Sequence, residues 1–273
     1  MQAYEKLEDL KKMIRKLESA AVAFSGGVDS TFLLTVAKEV LAEKVIAVTA
    51  RSSTYPEREF REAQQYAEKI GVQHIVIVSE ELEIEGFSKN PTNRCYYCKH
   101  ELFSKIQEIA KQYQVNYVFD GSNYDDLGDY RPGMQAAKEL KVISPLKEVE
   151  LTKEDIRLLS KEMNIPTWNK PSFACLSSRF PYGQEITPEK LKMVEEAEQF
   201  LLDKGFRQMR VRHHGEIARI EVAKQEREKF FDVLLMDEIG NYLKKIGFPY
   251  VTIDILGYRT GSMNEVLSEE EKI

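Results

Sequence analysis

Residues 20–30 read AAVAFSGGVDS, and this stretch decides the fold. The apolar run 21–24 predicts a buried strand, and the apolar spacing of 31–41 predicts a helix shortly after it. Between them, Gly26 and Gly27 allow backbone N–H groups to approach an anion closely. The helix would direct its positive N-terminal end at the same place. The stretch therefore predicts a strand, a phosphate-binding loop and a helix in succession.

Polar side chains in this loop specify the kind of phosphate site. Ser25 and Ser30 add hydroxyl donors, and Asp29 is placed to hold a Mg²⁺ ion that bridges phosphates. The spacing and the lysine of a Walker A loop are absent, and so is the G-x-G-x-x-G pattern of dinucleotide sites. Residues 25–30 instead resemble the pyrophosphate loop of ATP pyrophosphatases. That resemblance implies ATP binding, transfer of AMP to a substrate and release of pyrophosphate.

Composition narrows the class of protein. The chain has 273 residues, of which 42% are hydrophobic and 31% charged, so we expect a globular protein with one large and one smaller domain. The net charge of −6 argues against a broad nucleic-acid-binding face. The start of the sequence has no apolar leader, and no apolar run is long enough to cross a bilayer. We therefore expect a cytoplasmic protein without membrane or nucleic-acid partners.

Strand and helix patterns alternate in the first half of the chain. Apolar runs at 45–50, 75–78 and 117–119 predict further buried parallel strands. Helical patterns are present at 57–70, 99–113 and 152–163. This order predicts an α/β fold with a doubly wound parallel sheet, whose ligands bind at the carboxyl ends of the strands. The residues that we place at those ends are Ser25, Ala50, Ser79 and Asp120.

A proline-rich polar segment interrupts this alternation and suggests the domain boundaries. We predict a pyrophosphate-loop domain over 1–165, a functional loop or linker over 166–186, and a smaller C-terminal α+β domain over 187–273. The elements predicted in the last part are a helix at 187–204, strands at 208–213 and 217–222, a helix at 226–245 and a strand at 250–255.

Three cysteines remain to be explained. Cys95 and Cys98 form a C-x-x-C motif that we expect in a loop before a helix, and Cys175 lies in the irregular segment. An odd number of cysteines in a chain without an export signal makes a disulfide framework unexpected. Three thiolates can hold a [4Fe–4S] cluster with one open iron, or a zinc ion with His100 as fourth ligand. Three unrelated thiols are the third reading, and the motif alone leaves all three open.

Further motifs carry a resemblance that covers nearly the whole chain. They are Asp129-Tyr130-Arg131-Pro132-Gly133, Trp168-Asn169-Lys170, residues 177–183 (SSRFPYG), Val211-Arg212 and residues 217–221 (IARIE). Together with the loop they resemble the ATP-dependent sulfur insertases that make the nickel-pincer nucleotide cofactor of lactate racemase. The resemblance implies that ATP adenylates a carboxylate of a pyridinium-3,5-dicarboxylate mononucleotide, and that sulfur then converts it to a thiocarboxylate. Two such rounds would give the bisthiocarboxylate.

The resemblance also implies roles for individual residues. The residues implied in binding ATP are Ser25, Gly26, Gly27, Asp29, Ser30, Ala50, Asp120 and Gly121, with Asp29 holding Mg²⁺. Those implied in binding the substrate's phosphate and remaining carboxylate are Ser178, Arg179, Arg210 and Arg212, since guanidinium groups match both anions. Glu198 and Glu221 match acidic metal-binding positions, and Arg131 would neutralise charge during adenylation.

Plainer readings stand beside these roles. Arg210 and Arg212 alternate along a predicted strand and would then form one solvated face. Asp120 would cap its own loop, and Arg131 would form an ion pair that stabilises a turn. Single glutamates such as Glu198 and Glu221 are usually solvated.

One position departs from part of the family. Where some members carry a cysteine that gives up its sulfur, this chain has Ala174, and Cys175 follows one residue later. The chain resembles instead the branch with three cysteines and a [4Fe–4S] cluster, in which cluster-bound sulfide is transferred. The resemblance also implies a homo-oligomer. The alternatives are a tRNA thiolase with a cluster, an ammonia-using synthetase, and a non-catalytic nucleotide-binding module with structural zinc.

Overall fold

The structure is a computed structural model that describes residues 2–128 and 132–268. The chain forms two compact units, the first made of Met1–Glu81 and Asn93–Phe173, the second of Leu82–Thr92 and Ala174–Ile273. Within the described ranges, no helix has the length and apolar content that crossing a membrane requires.

The first unit is built around a sheet of four parallel strands in the order β3-β2-β1-β4. Its elements, in chain order, are α1 (Gln2–Leu17), β1 (Ala20–Ala23), α2 (Val28–Leu41), β2 (Val45–Arg51), α3 (Glu57–Ile70), β3 (Gln73–Val78), α4 (Arg94–Gln112), β4 (Tyr117–Phe119), α5 (Gly133–Glu139), α6 (Pro145–Glu148) and α7 (Lys153–Glu162). The predicted α/β class with a parallel sheet is confirmed.

Helices cover both faces of this sheet, as alternate residues of β1 show. Ala20 and Val22 belong to one core cluster, which they share with residues of α1, α2 and α7. Ala21 belongs to a second cluster, which it shares with residues of α4. Successive strand residues point to opposite faces, so the central strand is buried on both sides. The sheet is therefore doubly wound, as its continuous apolar runs predicted.

The carboxyl ends of the strands carry the polar residues that the sequence placed there. Ser25 follows β1, Ser79 follows β3 and Asp120 follows β4, while Ala50 is the second-last residue of β2. Because the strands are parallel, these ends lie along one edge of the sheet.

The second unit contains a smaller mixed sheet in the order β5-β6-β7, with β5 antiparallel and β7 parallel to β6. Its elements are α8 (Pro188–Asp203), β5 (Met209–His214), β6 (Ile217–Val222), α9 (Val233–Lys245) and β7 (Tyr250–Ile253). The predicted smaller α+β part is therefore present.

The prediction of a single helix over 226–245 is wrong, because the structure has two separate helices there. A 3₁₀ helix covers Lys224–Phe231, and α9 starts only at Val233. Between them Asp232 leaves the helical backbone conformation, with φ −81° and ψ 108°. Its carboxylate accepts hydrogen bonds from the amides of Leu234 and Leu235. This N-cap separates the two helices, because a capping residue lies outside the helix that it caps.

Candidate functional site

The loop between β1 and α2 has a geometry that favours glycine at its first glycine position. Gly26 has φ +61°, and a Cβ atom there would lie 3.0 Å from the Cα atom of Ala63 on α3. A side chain at this position would force Ala63 to shift by a few tenths of an ångström. No side chain of the described residues caps the N-terminus of α2, and unpaired amides at such an end attract anions.

Two serines meet across this loop. The Oγ atoms of Ser25 and Ser30 are 3.1 Å apart, and the Ser25 amide donates to Ser30 Oγ at 3.3 Å. The hydroxyl of Tyr55 donates to the Ser25 carbonyl at 2.7 Å and holds the turn from outside. Hydroxyl and amide donors thus converge at the start of α2, as a phosphate site requires.

Asp29 lies in the first turn of α2, beside these donors. Its Oδ2 atom accepts a hydrogen bond from Lys153 Nζ. Its Oδ1 atom is buried and has no hydrogen-bond partner among the described residues. A buried carboxylate oxygen without a donor suits a hard cation such as Mg²⁺, which takes oxygen ligands. The side chain therefore fits the metal-binding role proposed for it.

The end of β4 closes the site from the other side of α2. A Cβ atom at Gly121 would lie 3.1 Å from the Ser30 amide nitrogen, so the chain after β4 runs directly against the N-terminus of α2. Asp120 accepts from the Ser122 amide at 3.3 Å and from the Ser122 hydroxyl at 2.7 Å, which is the loop-capping arrangement. A nucleotide-binding role for Ala50, Asp120 and Gly121 stays a prediction.

The C-x-x-C motif lies inside a helix rather than in a loop before it. Helix α4 begins at Arg94, five residues earlier than expected, so Cys95 and Cys98 occupy its first turns. Residues three apart share a helix face, so both thiols belong to the same side of α4. Cys95 is exposed and Cys98 partly so. The early start of the helix keeps the two thiols together, which is what a shared metal or cluster needs.

Glu81 and helix α5 both lie close to the C-x-x-C motif. Cys98 Sγ lies 3.9 Å from Glu81 Oε1, and burial raises the pKa of the Glu81 carboxyl. On the other side, α5 approaches so closely that a Cβ atom at Gly133 would lie 3.3 Å from the Cys95 carbonyl oxygen. This close approach gives a physical reason for the glycine of the Asp-Tyr-Arg-Pro-Gly motif. Arg131 of that motif, a predicted catalytic residue, lies outside the described residues.

Cys175 belongs to the second unit, where its backbone is firmly held. Its carbonyl accepts from the Ser178 amide at 3.0 Å, the Ser178 hydroxyl at 2.8 Å and Arg179 Nη1 at 3.2 Å. The thiol itself is partly exposed. Ser178 and Arg179 thus fix the turn that presents Cys175.

The predicted substrate and metal residues of the second unit form a buried network of charges. Arg179 binds Glu198, and Arg212 donates to Glu221 Oε2 at 2.8 Å and to the Ser178 carbonyl at 2.7 Å. Arg210 lies over the Tyr258 ring, with 5.0 Å from its guanidinium carbon to the ring centroid. The alternative interpretation, that Arg210 and Arg212 form one solvated strand face, is wrong, because both side chains are buried.

This network holds more positive than negative charge around Arg210. Burial, and after it repulsion from Arg179, lowers the pKa of Arg210 to about 10. A guanidinium whose charge is opposed in this way is stabilised by an added anion. The arrangement therefore favours a bound phosphate or carboxylate.

Cys95, Cys98 and Cys175 are the candidate ligands of a metal ion or cluster. Among the described residues, no three Cys, His, Asp or Glu side chains lie close enough together to hold a metal ion. Cys95 and Cys98 belong to the first unit and Cys175 to the second. The donor chemistry still fits an iron–sulfur cluster, because thiolates are its usual ligands and all three cysteines are thiols.

Two lysines near the loop were missed by the sequence reasoning as site residues. Lys153 contacts Asp29, and Lys170 Nζ donates to the Gly26 carbonyl at 3.2 Å. In the sequence, Lys170 belongs to the Trp-Asn-Lys motif and Lys153 to the helix predicted over 152–163. Neither carries a local signal, because an isolated lysine in a polar segment is normally solvated.

Comparison with known proteins gives relatives along the whole chain. The asparagine synthase family model matches residues 8–90. An uncharacterised protein of Synechocystis is 43% identical, over 97% of this chain and 98% of its own. The pyridinium-3,5-bisthiocarboxylic acid mononucleotide synthase of Lactiplantibacillus plantarum is 36% identical, over 94% of this chain and 93% of its own. An uncharacterised protein of Methanocaldococcus jannaschii is 32% identical, over 94% and 98% respectively.

Proposed function

This chain belongs to the family of the pyridinium-3,5-bisthiocarboxylic acid mononucleotide synthase, and we propose that it inserts sulfur into a pyridinium-3,5-dicarboxylate mononucleotide at the expense of ATP. The observation that carries the proposal is the loop of residues 25–30, where two hydroxyls, open backbone amides and Asp29 converge at the start of α2. That arrangement suits the triphosphate of ATP. The relative supplies the substrate class.

The first step is adenylation. A carboxylate oxygen of the substrate attacks the α-phosphorus of ATP, the bond from that phosphorus to the bridging oxygen breaks, and its electron pair leaves with pyrophosphate. Ser25, Ser30 and the amides around Gly27 bind the phosphate oxygens, on which negative charge increases as pyrophosphate leaves. Asp29 would hold Mg²⁺, which when bound screens the phosphate charges.

The second step replaces AMP by sulfur. A sulfur nucleophile attacks the carbonyl carbon of the acyl adenylate, the bond from that carbon to the AMP oxygen breaks, and AMP leaves with the electron pair. The product is a thiocarboxylate. Cys95, Cys98 and Cys175 would hold a [4Fe–4S] cluster, which supplies an open iron position for an additional sulfide. The family resemblance places Ala174 where some members carry a sacrificial cysteine, which supports an external or cluster-bound sulfur donor.

The substrate's phosphate and second carboxylate would bind near Arg210 and Arg212 in the second unit. Burial of both guanidinium groups and the lowered pKa of Arg210 support an anion there. Ser178 would complete the site. Arg179, whose side chain is wholly buried and paired with Glu198, would hold the Ser178 turn in place, and Glu198 and Glu221 would orient the arginines or bind a second metal. The domain division at 165 and 187, the cytoplasmic location and the absence of nucleic-acid and membrane partners remain predictions.

Pyrophosphate release tests the reaction. Anaerobically purified protein, given ATP, sulfide and the dicarboxylate mononucleotide, should release pyrophosphate and form a product whose mass shows oxygen replaced by sulfur. Asp29→Asn, which keeps the side-chain shape, should lower the rate about 100-fold. Release without thiocarboxylate would overturn the sulfur step. Strong, salt-sensitive binding of tRNA would favour the thiolase alternative instead.

Metal analysis tests the cysteines separately. The same preparation should contain about four irons and acid-labile sulfide per chain, and Cys98→Ser should lose them. Stoichiometric zinc without iron would overturn the cluster while leaving adenylation untouched.

A further inference from the structure

We propose that Lys153 binds the phosphates of ATP and is a further catalytic residue of this site. The inference deepens the proposed function and rests on it, because it assumes that residues 25–30 bind a nucleotide triphosphate. The loop sequence has no lysine of its own between 20 and 37. The fold brings one from 124 residues further along the chain.

The position of Lys153 is the first reason. It is the first residue of α7, and its ammonium donates to Asp29 Oδ2. Asp29 is the second residue of α2 and follows the two glycines of the loop. The Nζ atom therefore lies at the N-terminus of α2, beside the donors formed by Ser25 and Ser30.

The charge of Asp29 is the second reason. A carboxylate beside bound phosphates adds to their negative charge, so cations are favoured at both of its oxygens: Mg²⁺ at Oδ1 and an ammonium at Oδ2. The ammonium of Lys153 cancels the Asp29 charge and remains one-third exposed. An ammonium has three N–H donors. Among the described residues Lys153 Nζ has one acceptor, so its other donors are available to phosphate oxygens.

Lys170 shows what a purely structural lysine looks like beside the same loop. Its ammonium donates to Glu59 at 2.7 Å, Glu62 at 2.7 Å and the Gly26 carbonyl at 3.2 Å, which accounts for all three donors. Its side chain is only 11% exposed. Burial opposes its charge, yet the two carboxylates hold the pKa of Lys170 above its usual value. All three donors of the Lys170 ammonium are used within the protein, whereas the Lys153 ammonium uses one donor among the described residues.

The backbone under Lys153 is fixed, whereas its side chain can adjust. Its amide donates to Asp125 Oδ2 at 2.7 Å, and a capping box between Thr152 and Asp155 closes the first turn of α7. Asp155 is bound in turn by Lys6 at 2.9 Å. Only the flexible four-carbon stem of Lys153 needs to move for Nζ to bridge Asp29 and a phosphate.

This placement gives Lys153 a part in adenylation. As the bond from the α-phosphorus to the bridging oxygen breaks, negative charge grows on the departing pyrophosphate. The Lys153 ammonium donates hydrogen bonds to those oxygens and stabilises the charge, and no proton needs to be transferred. Once pyrophosphate leaves, the ammonium keeps only its hydrogen bond to Asp29.

Binding measurements test the proposal independently of the sulfur chemistry. Calorimetry would compare Lys153→Met, Lys153→Arg and the matched control Lys69→Met, which removes an exposed lysine of α3. Lys153→Met should weaken binding of Mg-ATP and magnesium pyrophosphate by roughly tenfold or more, as expected for lost charged hydrogen bonds. Lys153→Arg should restore part of it, and AMP binding should change little. Equal pyrophosphate affinity in both methionine variants would overturn the proposal.

A second measurement uses the wild-type protein, so that the proposal can be tested even if the Lys153 variants do not fold. Acetylation of lysines, followed by mass spectrometry, should slow at Lys153 when pyrophosphate or ATP is added, but not when AMP is added. Acetylation of Lys69 should not change. Unchanged labelling of Lys153 at saturating pyrophosphate would refute its role. If Lys153 behaves as expected while no thiocarboxylate forms with any sulfur donor, the proposed function fails and this inference survives.

Discussion

Arg179 and Glu198 form a fully paired ion pair inside the second unit: Nε lies 2.7 Å from Oε1, and Nη2 lies 2.9 Å from Oε2. The Arg179 side chain has no exposed surface. Its third nitrogen, Nη1, donates to the carbonyls of Ala174 and Cys175. A helix residue, Glu198 of α8, thereby fixes the backbone that presents the third cysteine.

Breaking this pair should destabilise the protein and loosen that turn. Arg179→Met leaves the Glu198 carboxylate buried without its partner, which typically costs about 3–5 kcal/mol of the free energy of unfolding. Urea unfolding followed by circular dichroism measures the loss. Arg259→Met, which removes an arginine at the surface of the same unit, is the control and should cost about 1 kcal/mol or less. Similar losses in both variants would contradict a structural role for the Arg179–Glu198 pair.

Replacing Gly26 by alanine should cost more stability than the same replacement at Gly71. Gly71 has a similar φ angle, +70°, but its would-be Cβ atom lies in open space, whereas at Gly26 that atom meets Ala63 at 3.0 Å. Gly71→Ala should cost about 1–2 kcal/mol for the left-handed backbone alone. Gly26→Ala should cost more and should also abolish ATP binding. Thermal melts and ATP titration of both variants check this, and equal stability losses would show that Ala63 gives way.

His74 should make stability depend on pH. It lies on β3, with Nε2 2.8 Å from the Thr49 hydroxyl, and burial lowers the pKa of its imidazole from the usual 6.5. The unfolded chain therefore binds a proton more readily than the folded one. Its contribution to stability is complete above pH 6.5 and is lost as the pH falls through the lowered value.

The measurement is the free energy of unfolding between pH 8 and pH 5 for the wild type, His74→Gln and, as control, His100→Gln on α4. The wild type and the His100 variant should lose stability more steeply toward acid than the His74 variant. Parallel curves for all three would show that His74 does not contribute to this dependence.

The second unit exposes apolar side chains that suit an interface between copies of the chain. Phe231 is 87% exposed and Leu234 81%, and both lie at the start of α9 or just before it. Exposed apolar side chains grouped in this way mark interaction surfaces. Leu234→Glu should lower the mass measured by light scattering, while Leu158→Glu, at an exposed leucine of α7, should not. An unchanged mass for the Leu234 variant would remove this surface from the proposed homo-oligomer.

Much of the fold could be predicted from the sequence because its signals are local. The apolar runs of β1 to β4 and the apolar spacing of α3, found over 57–70 as predicted, depend only on neighbouring residues. Two helix boundaries differ from these predictions. The Asp232 cap interrupted an otherwise continuous helical pattern, and the true start of α4 lay before the C-x-x-C motif.

The sequence by itself determined the phosphate loop, the parallel sheet and the family resemblance, since each is written in consecutive residues. Only the tertiary structure decided that Lys153 contacts Asp29, that Ala63 packs tightly against Gly26, and that Arg179 pairs with Glu198. The residues of each pair are separated in the chain, and nothing in the sequence around a single lysine, alanine or glutamate indicates which residue it contacts. Their meeting depends on how whole helices pack, which local patterns do not specify.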